Sequence, residues 1–114
     1  MPMPSGYWKA GISGMHRTAV LCEVLGIKVA SHLAASPLMN WVNLHVLCGA
    51  SNADWIEVLV PEAGYDFGLQ RYLAPDADRY LAVPQEPGLG VALDWDYIRA
   101  HTVPDSAMTA QLAG

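Results

Sequence analysis

The sequence predicts an α/β fold made of consecutive helix–strand units with parallel strands. Three observations carry this: an apolar row at helical spacing from Met15 to Leu25, a short β-branched run opening at Ile27, and a second helix that starts at Ser36-Pro37 and leads to the apolar run Trp55–Val60. The chain has 114 residues, which suits one domain and is too short for a complete (β/α)₈ barrel of ~250 residues. At 53% hydrophobic and 15% charged, with mean hydropathy +0.21, it cannot be a disordered tail and carries more apolar surface than a small monomer usually does.

Each element has its own local cause. Ser13 is a candidate N-cap, after which Met15, Thr18, Ala19, Cys22 and Leu25 share one helical face. Gly26 can adopt the left-handed conformation that stops the helix. Ile27–His32 follows as a strand with His32 at its carboxyl end. Ser36 and Pro37 are suited to N-cap and first helical turn, and the helix should continue through Leu38, Trp41, Val42, His45 and Val46 to about Gly49. Asn52-Ala53-Asp54 has turn chemistry, and Trp55–Val60 is apolar enough for a strand buried on both faces of a parallel sheet.

Beyond Pro61 the chain turns to Pro, Gly and Asp with scattered aromatics, so residues 61–104 should be irregular. Within them Tyr80–Val83 and Val91–Leu93 could form a hairpin around Pro87-Gly88-Leu89-Gly90, and Asp94 should cap a short helix containing Trp95, Ile98 and Arg99. Residues 105–114 are small and polar and should form a flexible tail.

Composition narrows the partners. Eleven Asp and Glu against six Lys and Arg give a net charge of −5, which supplies no basic field for nucleic acid or an anionic membrane. The apolar stretches are too short to span a bilayer, and the opening residues lack the charged start and apolar run of a signal peptide, so a cytoplasmic protein is expected. Cys22 and Cys48 have no C-x-x-C spacing and read as buried thiols.

Two residues stand out as candidates for chemistry. In a parallel α/β sheet the carboxyl ends of the strands floor the active site, and both His32 and Glu57 fall there. His32 is either such a group or a hydrogen-bonded histidine at a loop start. Glu57 interrupts an apolar strand, so it either has a partner or faces outward at an edge. The other candidates have simpler explanations: His45 packs on an apolar helix face, His16 and His101 are solvated at helix ends, Gly88–Gly90 is a turn, and Asp94 and Asp96 complement a helix dipole. No spacing in the chain suits a zinc site.

The string Gly11-Ile12-Ser13-Gly14, Leu25-Gly26-Ile27, Ser31-His32-Leu33, Trp55-Ile56-Glu57, Val83-Pro84 and Pro87-Gly88-Leu89-Gly90-Val91, closed by an acidic helix start, resembles the last third of the enolase superfamily. Within it the mandelate racemase and muconate lactonizing group, with its acid-sugar dehydratases, is the most similar branch. That resemblance implies the last β/α units of a (β/α) barrel over residues 11–60, incomplete as a barrel, followed by a segment returning to a capping domain. It also implies that residues 1–10 hold a degenerate end of a barrel strand. His32 would then match the family's general acid/base, and Glu57 the carboxyl group that hydrogen-bonds the substrate carboxylate as it becomes an enediolate. A donor carboxyl must be protonated, which a dry apolar strand would favour.

The same resemblance implies departures. The family's Asp partner for the His lies just upstream of the glycine motif, where this chain has Ser5 after Pro4. The carboxylates that bind Mg²⁺ belong to earlier strands, so Mg²⁺ is expected only for a full-length relative and no cofactor for this chain alone. The expectation is a C-terminal fragment of a racemase or dehydratase, inert by itself, whose carboxylate substrate is bound only when the missing N-terminal portion is supplied. Two further classes stand beside it: a non-catalytic domain whose apolar helices form a homo-oligomer or bind a partner, and an unrelated small α/β binding domain.

Overall fold

The computed structural model describes residues 11–32, 36–58 and 67–103. The elements run α1 (Gly11–Val24), β1 (Val29–Ser31), α2 (Pro37–Cys48), β2 (Ala53–Ile56) and α3 (Trp95–His101). The first four are the two consecutive helix–strand units that the apolar periodicity implies. The expectations for residues 1–10, for Leu59 to Asp66 and for the tail at 105–114 lie outside the described residues.

α1 starts two residues before the expected cap, so Ser13 sits inside its first turn. Met15, Ala19 and Cys22 form its buried face, and Leu25 lies past its end and is exposed. His16 belongs to the interior of this helix, on its solvent side. Gly26, at φ 66°, takes the left-handed conformation, and the Ile27 amide closes the turn onto the Cys22 carbonyl at 2.7 Å. Ser36 precedes α2 in extended conformation with Pro37 at the first position, where a missing amide hydrogen costs nothing.

β1 and β2 pair in parallel, with Val29 opposite Ala53, Ala30 opposite Trp55, Ser31 opposite Ile56, and an irregularity between Val29 and Ala30. β1 is fully buried, but β2 is not the doubly buried strand expected from its composition. It begins earlier, at Ala53, and ends at Ile56, and Trp55 is 72% exposed. Among the described residues β2 has one pairing partner, and successive residues on opposite sides of the pleat leave Ile56 partly buried and Trp55 in solvent.

Two apolar clusters hold these parts together. Ala19, Cys22, Val29 and Leu47 join α1, β1 and α2, while Trp41, Leu44, Leu69 and Leu73 join α2 to the irregular segment. Ile56 packs against both. The hairpin expected from residues 80–83 and 91–93 does not form: Leu93 bridges antiparallel to Leu69, and Leu81, Val83 and Val91 pack on the Trp41 cluster. Packing on that cluster removes these apolar side chains from water, which an isolated two-stranded hairpin would not do. Asp94 caps α3, its carboxylate accepting from the Tyr97 amide at 2.9 Å. Cys22 is buried as expected, whereas Cys48, at the last position of α2, is exposed, and both thiols are free. Among the described residues no helix is long and apolar enough to cross a membrane.

Candidate active site

His32 is the residue after β1, and Glu57 is the residue after β2. Parallel strands point their carboxyl ends the same way, and the pairing of Ser31 with Ile56 puts the next residues of both strands side by side. The Nδ1 atom of His32 lies 3.1 Å from Oε2 of Glu57, although 25 residues separate them in the chain. The two side chains are 56% and 39% exposed, so the pair opens to solvent. Glu57 therefore lies beyond the strand rather than inside it, and its carboxylate is not in the dry setting that composition implied.

With the Nδ1 hydrogen directed to the carboxylate, Nε2 keeps its lone pair and is open to accept a proton. The sequence-level assignment gave the two residues separate tasks. The geometry brings them into contact, with Glu57 placed to orient the ring.

Behind the pair stands a residue that the sequence reading passed over. Asn43, on α2 and 1% exposed, donates from Nδ2 to the His32 carbonyl at 3.3 Å. The signal was an amide inside the apolar run Trp41–Leu47, where a polar group has to find a partner.

The remaining histidines lie elsewhere. His45 contacts the Leu89 carbonyl through Nε2 at 3.1 Å and ties the irregular segment to α2. His16 and His45 line a shallow groove between α1 and α2 that excludes both His32 and Glu57. His101 stacks on Tyr97, with ring centroids 4.0 Å apart. Asp96 pairs with Arg99 on the surface of α3. Among the described residues no three His, Cys, Asp or Glu side chains converge as a metal site would require, so they do not fit Mg²⁺, which needs oxygen ligands in near-octahedral array.

Comparison with known proteins agrees with this architecture. Residues 3–97 match the family described as Enolase C-terminal domain-like. The chain is 29% identical over 99 residues to a D-xylonate dehydratase of Haloferax volcanii, covering 81% of this chain and 23% of that protein. Two crystal structures share its fold. One is of a mandelate racemase/muconate lactonizing enzyme-type protein from Pseudovibrio sp., with a TM-score of 0.76 at 21% identity over 82% of this chain and 25% of that one. The other is of an enolase of the mandelate racemase subgroup from Agrobacterium tumefaciens, with a TM-score of 0.72 at 24% identity over 88% of this chain and 27% of that one. The chain thus spans about a quarter of the length of each of these relatives. By the extent of the family match and the shared fold, it belongs to the enolase C-terminal domain-like family.

Proposed function

We propose that this chain contributes the proton-transfer pair of a racemase- or dehydratase-type enzyme that removes the α-proton of a carboxylate such as an acid sugar, and that it does not turn over by itself. The observation that carries this reading is the 3.1 Å contact between His32 Nδ1 and Glu57 Oε2 at the carboxyl ends of two parallel strands. The free Nε2 takes the proton from the α-carbon, and Glu57 holds the ring in the required tautomer and balances the positive charge. The electrons left on carbon delocalise into the carboxylate. The resulting enediolate carries extra negative charge, and neither residue of the pair is an electrophile that could stabilise it. Among the described residues no three His, Cys, Asp or Glu side chains converge to hold a metal ion that could do so, which supports the proposal that the chain alone is inert.

The test follows the α-proton signal of D-xylonate by ¹H NMR in D₂O with Mg²⁺ present. The chain alone should leave the signal intact. Placed in the corresponding quarter of the Haloferax volcanii dehydratase, it should support exchange that disappears with His32→Asn. Exchange that survives that substitution overturns the assignment, and turnover by the isolated chain overturns the proposed inertness.

A second reading, a homo-oligomer joined through apolar helices, is favoured by one observation: Ile12, Val20, Leu21 and Val24 of α1 are exposed, as is the adjoining Leu25. α2 offers no comparable surface, because Trp41, Val42, Leu44 and Leu47 are already buried within the chain. Size-exclusion chromatography with light scattering separates the readings, a stable monomer removing the second.

A further inference from the structure

We infer that Asn43 is a positioning residue: through the His32 carbonyl it sets where the His32 ring meets Glu57. The inference rests on the proposed proton-transfer pair and adds a residue that acts through it. Asn43 is 1% exposed on the face of α2 that also buries Leu47, one turn further on. An apolar side chain of the same size would suit that face better, because an amide has two donor hydrogens and an acceptor oxygen to satisfy. Asn43 meets the requirement only in part, since Oδ1 has no hydrogen-bond partner. Its bond from Nδ2 to the His32 carbonyl, at 3.3 Å, is made at the first residue beyond β1, where the strand pairing that holds Ser31 has ended. A helix-anchored donor at that point restrains the main chain from which the His32 side chain departs. Packing alone does not account for an amide here; alignment of the neighbouring ring does.

The experiment uses the full 114-residue chain with ¹⁵N-labelled histidine, and NMR reads the tautomer of the neutral His32 ring. In the unsubstituted chain the Nδ1–H form should predominate, and Glu57→Ala should remove that preference. Asn43→Leu should remove it as well, with no further change when Glu57→Ala is added, while the urea midpoint and the His45 signal stay where they were. If Asn43→Leu leaves the His32 tautomer unchanged and Glu57→Ala still shifts it, the positioning role is overturned and the pair survives. If Glu57→Ala has no effect in the unsubstituted chain, the pair is overturned and the inference falls with it. If Asn43→Leu fails to fold, the unsubstituted chain decides. A scalar coupling between the Asn43 side-chain nitrogen and the His32 carbonyl carbon is expected, and its absence overturns the inference.

Discussion

His32 and Glu57 meet at 3.1 Å because Ser31 and Ile56, the residues immediately before them, are paired across a parallel ladder. Neither strand alone creates the site. Each supplies one group at its carboxyl end, and the crossover through α2 brings the ends together. The contact joins a titratable ring to a carboxylate in a partly open setting.

In the enzyme completed with the Haloferax volcanii segment, His32→Asn is expected to lower the rate of α-proton exchange by about 10²–10⁴-fold, the range for loss of a general acid/base. Glu57→Gln should also reduce it, by disturbing ring orientation and the balance of charge. ¹H NMR exchange rates at fixed Mg²⁺ check both.

Asn52 and the Lys28–Asp54 pair make a direct comparison between buried and exposed polar contacts. Asn52 Nδ2 donates to the Ala19 carbonyl at 3.0 Å and to the Ile27 carbonyl at 2.9 Å, fastening α1 to the turn that leads into β1. Asn52→Ala removes both bonds, which should cost about 1–3 kcal/mol. The Lys28–Asp54 ion pair is short, at 2.8 Å, but both side chains are more than half exposed, so Lys28→Ala should change stability by less than about 1 kcal/mol. Urea midpoints at constant m-value should separate the two.

Gly88 and Gly90 both have positive φ, at 73° and 66°, yet only one is crowded. A Cβ on Gly90 would lie 2.1 Å from the Pro84 Cβ, while one on Gly88 would meet nothing within 4 Å. Gly88→Ala should therefore cost about 1 kcal/mol from backbone conformation alone. Gly90→Ala adds an overlap typical of overpacking and should cost about 2–4 kcal/mol in total. Thermal unfolding of the two variants gives the difference.

The two cysteines should react at very different rates. Cys48 is exposed at the end of α2, and Cys22 is enclosed between α1, β1 and α2. A chromogenic disulfide reagent should titrate one thiol quickly in the native chain and the second only on unfolding. Two fast thiols would show that the α1 packing opens readily. Cys48→Ser should remove the fast phase.

The alternation of helix and strand was legible in local chemistry. Ser36-Pro37, Gly26 and Asp94 mark their boundaries through constraints on φ and through capping, which act within a few residues. His32 could likewise be singled out as a strand-end residue and Glu57 as a charge within an apolar run, since polarity against an apolar background is visible in one dimension. Other features depend on what lies alongside. Trp55 is exposed on a strand whose composition suggests burial on both faces, and the 80–93 stretch packs onto the Trp41 cluster rather than pairing with itself. Cys48 is exposed because it falls on the outer end of α2, while Asn43 is buried because it falls on the inner face.

Taken by itself, the sequence determined the α/β order, the stop at Gly26 and the start at Ser36-Pro37, and the two polar residues His32 and Glu57, because each depends on backbone preferences and side-chain polarity over a short span. Only the tertiary structure decided that those two residues touch, that Asn43 reaches the His32 carbonyl and that β2 is half open. Those facts depend on the register of one strand against another and on the rotation of a helix about its axis, and both are set by packing between segments remote in the chain.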